Sequence, residues 1–241
     1  CTRKEFSSIS QVIRTYYSSR EALTRIRQKS ADLRHVVQTA LERNRKKYDL
    51  QARQHKDTEG RDKYKVYGEL IHTYGYGLEP GAKQLTALNY YTGGEVTIPL
   101  DEHMTPAENA QRYFAKYNKQ KRTFEALSEL ICETRDDIAY LESISNALDI
   151  AQGEDDLLEI KEELTQAGYI RRRNTKQKVR ITSRPFHYIS SDGYHMYVGK
   201  NNLQNEELTF RFASGNDWWF HAKKVPGSHV IVKSGGDELP D

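Results

Sequence analysis

The sequence lacks most of what would mark a membrane, secreted or metal-bound protein. No stretch approaches the ~18 apolar residues of a membrane helix, and its start does not resemble a secretory signal. The two cysteines, Cys1 and Cys132, cannot form a disulfide framework or a Cys-X-X-Cys metal site. These absences predict a cytoplasmic protein with no membrane contact, no metal and no cofactor. Prolines number only 6 and hydrophobic residues make up 37% of 241, against roughly 45–50% in an ordinary globular domain. A chain this polar cannot fill one core of that size, yet its clear apolar periodicity argues against disorder. Long exposed helices plus a small packed domain satisfy both. The chain opens at Cys1 without an initiator Met and stops at Asp241 just after a strand-like run, as expected of a fragment of a longer protein.

What is present is strongly segregated charge. The formal net charge is +3, but residues 1–60 carry +7, 61–124 carry +2, 125–170 carry −11, 171–184 carry +7 and 185–241 carry −2. A partner would meet blocks of a single sign, so the total alone misleads.

Between positions 6 and 58 there is neither Pro nor Gly. Small or apolar residues recur with heptad spacing at Ile9, Val12, Tyr16, Ser19, Leu23, Ile26, Ser30, Leu33, Val37, Ala40, Asn44 and Tyr48, the seam of a coiled coil. A single stripe of this kind needs a partner helix. The partner begins at Thr105-Pro106-Ala107-Glu108, a capping box with Pro at the first helical position. It continues through Tyr117, Lys121, Phe124, Leu127, Ile131, Thr134, Ile138, Leu141, Ser145 and Leu148. A basic first arm and an acidic second arm favour pairing in an antiparallel hairpin.

The predicted fold is therefore mainly α with α+β parts. Residues 1–60 form the first coiled-coil arm and 106–152 the second. Between them, 61–105 form a small tip module: a helix over 61–77, then a β-hairpin with strands 85–91 and 95–99 around a Gly93-Gly94 turn. Gly75, Gly77 and Gly81 shape turns there, since no strand precedes them and no Gly-Lys-Ser follows. Residues 153–184 hold a short helix, with Glu154-Asp155-Asp156 at its positive end, and a basic linker. Residues 185–241 read as β-β-α-β-β, a small α+β C-terminal domain.

Chemistry concentrates in Asp217-Trp218-Trp219-Phe220-His221, with His229 further on. If 217–221 is a strand, Asp217, Trp219 and His221 share one face. Three readings remain open. The tryptophans fill the core of a small sheet; or Trp218, Trp219, His221 and His229 meet RNA, stacking on bases beside Asp217; or His221 is a base oriented by Asp217. No nucleophile motif supports the last, and no catalytic residue is assigned. His187, His195, His221 and His229 lack recognised ligand spacing. Arg171, Arg172, Arg173, Lys176, Lys178 and Arg180, without one acid among them, either bind phosphates or keep a linker extended. Arg43, Arg45, Lys46 and Lys47 on the first arm either bind RNA or pair with the acidic second arm.

Several motifs resemble the NFACT family. Asn109-Ala110-Gln111-Arg112-Tyr113-Phe114-Ala115-Lys116-Tyr117, opening the second arm, is similar to the helix that follows the tip in those proteins. Ser191-Asp192-Gly193, Val198-Gly199-Lys200-Asn201-Asn202-Leu203-Gln204-Asn205-Glu206, Asp217-Trp218-Trp219-Phe220-His221-Ala222 and Pro226-Gly227-Ser228-His229-Val230 resemble the NFACT-R domain, here truncated. The resemblance implies a ribosome quality-control factor that binds an obstructed large ribosomal subunit, touching rRNA and stalk-base proteins. It would recruit tRNA, alanyl-tRNA in bacteria, for untemplated tailing of stalled nascent chains. The ribosome would make the peptide bond, so the factor is not an enzyme. The family's N-terminal domain, which supplies much of its tRNA recognition, is expected to be absent here. A rival reading is a surface adhesin binding fibronectin or fibrinogen, and a weaker one a nuclease using His221 and His229.

Overall fold

Ser8 begins the first helix by accepting a hydrogen bond from Gln11 N, and α1 then runs over Ile9–Lys29 in the computed structural model. The structure describes residues 5–171, 183–223 and 225–236. Of the sequence readings above, the side chain of Leu23 and the candidates Arg172, Arg173, Lys176, Lys178 and Arg180 lie outside the described residues. The chain divides into two units, 1–44 with 136–241, and 45–135.

In the first unit the expected continuous seam is interrupted. Ser30, fully buried, separates α1 from α2 (Ala31–Asp57), its hydroxyl donating to Arg27 O and accepting from Arg34 Nε. Beyond the break, Leu33, Val37 and Leu41 of α2 pack with Leu141, Ile144 and Leu148 of α4 (Pro106–Ile150), the two helices running antiparallel. Before it, Ile9, Val12 and Tyr16 are exposed, Ile9 at 79%. The reason is length: the last turn of α4 meets Arg34, which binds Leu148 O at 2.6 Å and pairs with Asp149. Helix α4 therefore ends before it reaches the first half of α1. Lys29 pairs instead with Glu154, at the start of α5 (Glu154–Gln166). Leu157, Ile160 and Leu164 of α5 complete the same core.

The remainder of this unit is a four-stranded antiparallel sheet, ordered β3-β4-β6-β5, from β3 (Phe186–Ile189), β4 (His195–Val198), β5 (Trp218–Phe220) and β6 (Val230–Lys233). Between β4 and β5 come α6 (Asn202–Glu207) and a π turn over Leu208–Phe212. The β-β-α-β-β order is as expected. Ile231 on β6, paired with Tyr197 and Trp219, is fully buried.

In the second unit, α3 (Asp62–Tyr74), β1 (Gln84–Leu88), β2 (Glu95–Pro99) and the start of α4 enclose Leu70, Ile71, Leu85, Ala87, Ile98 and Ala110. The capping box forms: Thr105 N donates to Glu108 at 2.7 Å and Glu108 N to the Thr105 hydroxyl at 3.3 Å. The hairpin differs from expectation. Strand β1 stops at Leu88, opposite Glu95, and Tyr90-Tyr91 belong to a longer loop. Asn89 turns the chain early, its side chain accepting from Tyr91 N and its backbone NH donating to Gly94 O. The pairing of α2 with α4 is polar here. Thr134 Oγ1 donates to Gln51 Oε1 at 2.9 Å, and His55 stacks on Phe124 at 4.1 Å.

Two of the motifs noted above serve structure. Asn109, 2% exposed, ties the loop over 101–105 to α4: Asp101 N donates to its carbonyl, and its amide donates to three backbone oxygens. Arg112 pairs with Asp101, and the Tyr113 hydroxyl donates to Pro99 O. The Lys200-Asn201-Asn202-Leu203-Gln204-Asn205 run docks the sheet domain onto the acids of α5. Lys200 Nζ reaches Asp156 at 3.0 Å, Asn201 and Gln204 both donate to Glu159 at 2.7 Å, and Asn202 donates to Glu163 at 2.8 Å.

Candidate nucleic-acid interface

Among the described residues, strand β5 lies at the edge of its sheet and pairs with β6 alone. Three successive aromatic residues on a pleated strand point alternately to opposite faces, and an edge position leaves both faces partly open. Trp218, Trp219 and Phe220 are 46%, 49% and 46% exposed, so the tryptophans do not fill the core. Trp219 belongs to an aromatic cluster. His221 stacks on it at 5.9 Å with 25° between planes, and His229 meets both rings edge-on at 5.2 and 5.0 Å.

His229 is held from two sides. Its Nδ1 lies 2.8 Å from the Thr209 hydroxyl, and its backbone NH donates to Asn205 Oδ1 at 2.9 Å. Burial, together with the neighbouring His221, lowers its pKa below the ordinary 6.5, against the opposing influence of Asn205. The ring is neutral at pH 7 and can stack without introducing charge. His221 is the exposed member of the pair.

Asp217 does not join this face. Strand β5 begins only at Trp218, and the Asp217 side chain turns back to accept from Ser214 N, Ser214 Oγ and Lys233 Nζ at 2.7, 2.8 and 2.6 Å. Burial opposes its charge, but those hydrogen bonds and the Lys233 ammonium outweigh it and hold the carboxyl below its ordinary range. At 3% side-chain exposure, Asp217 is a brace between β5 and β6. It neither orients His221 nor offers itself to RNA.

The four candidate histidines fall into two separate pairs. His187 and His195 stack at 5.0 Å and share a 2.8 Å contact on the β3–β4 hairpin, apart from His221 and His229. Among the described residues no group of three or more His, Cys, Asp or Glu is gathered to hold a metal ion. No helix among them is long and apolar enough to cross a membrane.

The basic candidates are dispersed. Arg171 is exposed. On α2, Arg43 lies in the first unit and Arg45, Lys46 and Lys47 in the second, all exposed. Among the described residues Arg43, Lys46 and Lys47 make no ion pair, so the expected charge pairing of the arms does not engage them. A cationic surface not singled out in the sequence sits on the second unit. Lys116 Nζ lies 4.2 Å and Lys63 Nζ 5.0 Å from the centroid of Tyr64, and the Lys116 hydrogen bond lowers the tyrosine pKa. Only the spacing of Lys63-Tyr64 on α3 and Lys116 on α4 hints at it, and their meeting depends on how those helices pack.

Residues 1–183 match the family model described as NFACT N-terminal and middle domains, and 184–241 match the NFACT protein RNA binding domain. The chain is 40% identical over 233 residues to a protein named Rqc2 homolog RqcH from Streptococcus pneumoniae (strain ATCC BAA-255 / R6), covering 96% of this chain and 42% of that one. It is 35% identical over 236 residues to the Bacillus subtilis (strain 168) protein of the same name, covering 96% and 41%. The chain thus spans about two fifths of the length of these curated relatives. A solved structure of the C-terminal of the fibronectin/fibrinogen-binding protein from Streptococcus suis (FBPS) is similar with a TM-score of 0.63 at 36% identity, covering 89% of this chain and 73% of that one.

Proposed function

Because the chain belongs to the NFACT family, we propose that it is part of a ribosome quality-control factor and contacts RNA through its C-terminal sheet domain. The carrying observation is the open aromatic edge: Trp218, Trp219 and Phe220 about half exposed, with His221 stacked on Trp219. Aromatic and imidazole rings presented this way stack on unpaired bases whatever their identity. The names of the relatives support the ribosomal setting.

The complete protein engages an obstructed large ribosomal subunit through rRNA and stalk-base proteins, and supports delivery of alanyl-tRNA for untemplated tailing. This chain contributes binding surface and no catalytic group, with the bond-forming step left to the ribosome. Arg171 and the neighbouring cations of 172–180 add phosphate affinity. Co-sedimentation of the full-length protein with large subunits should fall steeply with salt, because bound phosphates release counterions. Salt-independent binding, or none, would sink the reading.

The Streptococcus suis neighbour, titled a fibronectin/fibrinogen-binding protein, favours a second reading as an adhesin. Protease shaving of intact cells separates the two: a ribosomal factor stays protected, whereas a surface adhesin is cleaved.

A further inference from the structure

In the second unit, α3 approaches the start of α4 closely because Gly68 carries no side chain: a Cβ there would meet the Phe114 ring at 2.8 Å. That approach gathers three tyrosines. Tyr113 is anchored through its hydroxyl, which donates to Pro99 O at 2.6 Å. Tyr64 stacks on it with 6.2 Å between centroids and 17° between planes, and Tyr67 meets the two rings edge-on at 6.5 and 5.4 Å. The position of Tyr64 is therefore set by packing.

Two ammonium groups from different helices converge on this ring. Lys116 of α4 and Lys63 of α3 stand 4.2 and 5.0 Å from its centroid. The Lys116 hydrogen bond above all, with the charge of both lysines, holds the phenol below its ordinary pKa against desolvation. The nearby Lys65 and Arg112 pair with Glu69 and Asp101, whereas Lys63 and Lys116 are exposed and make no ion pair among the described residues. Two like charges gathered at one phenol repel each other, and an anion placed between them turns that repulsion into attraction. The pair also belongs to a longer row. Residues 109–124 hold five cations and no acid. Lys119, exposed like Lys116, follows it on the same side of α4, about 4.5 Å further along the axis. A single carboxylate would meet one such point; a row suits a chain of phosphates.

We propose that this α3–α4 surface is an RNA-backbone site, where Lys63, Lys116 and the Tyr64 hydroxyl donate to the non-bridging oxygens of one phosphate and Lys119 reaches the next. Tyr64 accepts from Lys116 and turns its own proton to the phosphate. Such contacts position RNA without reading its sequence. The inference rests on the RNA-binding reading above for its partner, and adds a second contact in the other unit.

Fluorescence anisotropy of the 241-residue chain with a labelled twenty-nucleotide oligouridylate, repeated across a salt series, tests it. Replacing Lys63 and Lys116 together by Gln should weaken binding roughly tenfold and reduce the slope of log affinity against log salt by about 0.7, the loss of one phosphate contact. Tyr64→Phe removes a donor but no charge, and should weaken binding about threefold with the slope unchanged. Lys63→Arg with Lys116→Arg should preserve both. Trp219→Ala lies in the other unit, so its loss and that of K63Q/K116Q should multiply when combined. RNA binding that Trp219→Ala weakens and K63Q/K116Q leaves intact overturns this site and keeps the RNA reading. A chain that binds no oligouridylate overturns both. If K63Q/K116Q abolishes binding of a polyglutamate peptide while RNA binding is unchanged, the surface belongs to an acidic protein segment and the proposal falls.

Discussion

At the residue scale, the acidic side chains of the sheet domain and α5 divide by what surrounds them. Asp156 accepts four hydrogen bonds, from Gln152 N, Gly153 N, Ser183 Oγ and Lys200 Nζ. Burial opposes its charge, but these bonds hold its carboxyl below the ordinary 3.8. A depressed carboxyl stabilises the fold fully above its unfolded pKa and loses that contribution as pH falls through the lowered folded value. Acid titration by circular dichroism should therefore show the sheet domain loosening below about pH 4. Asp156→Asn leaves Lys200 buried without its counter-charge and should cost about 3–5 kcal/mol in chemical unfolding. Glu163 has the opposite sign: its carboxyl, raised by burial, favours the fold below the unfolded pKa, and that advantage is lost as pH rises through the folded value. Glu163→Gln should raise stability at neutral pH. Trp219→Ala, at an exposed position, should weaken RNA binding by about 1–3 kcal/mol with little effect on folding.

At the element scale, partners decide what a seam does. The apolar period of α1 is as regular as that of α2, yet Ile9, Val12 and Tyr16 are exposed and face no partner helix among the described residues, because α4 ends at Ile150. A helix of this length held by one stripe and no partner is marginal in water. Amides of α1 ahead of Ile26 should therefore exchange with solvent much faster than those of α2 near Val37, measured by hydrogen exchange. In the second unit the seam is kept in register by the Thr134–Gln51 bond, where a polar pair replaces a hydrophobic knob. Thr134→Val, which leaves the Gln51 carbonyl buried without a donor, should cost about 1–3 kcal/mol. Between β4 and α6 the backbone is equally constrained: a Cβ at Gly199 would sit 2.2 Å from Asn205 Oδ1. Gly199→Ala should destabilise the sheet domain by about 1–3 kcal/mol, visible as a lower midpoint in denaturant. The β5 edge shows the limit of strand reasoning. Alternation put Asp217 beside His221, but the strand begins one residue later, and Lys233 turns the carboxylate away.

At the scale of the whole molecule, the segregated charge of the sequence bears on partners more than on packing. Arg43, Lys46 and Lys47 remain exposed without ion pairs among the described residues, which leaves them available to phosphate. The affinity for single-stranded RNA should fall linearly with the logarithm of salt, with a slope of about −0.7 per phosphate contacted. Much of the architecture was legible from local chemistry. Heptad spacing marked both arms, the Thr105–Glu108 box marked the start of α4, and turn residues with alternating patterns marked the β-β-α-β-β order. Each of these is decided within a few residues by backbone geometry and solvent. Local chemistry therefore settles most of the helices and strands, though not the break at Ser30, the early end of β1 at Leu88 or the start of β5 after Asp217, and it places aromatic and imidazole residues together near 217–229. Packing sets the rest: where α4 stops relative to α1, the brace between Asp217 and Lys233, and the meeting of Glu163 and Tyr140 with His221 and His229 around one cleft. Those outcomes depend on burial and on contacts between residues far apart in the chain, which set exposure, ionisation and hydrogen-bond partners only once the elements have packed.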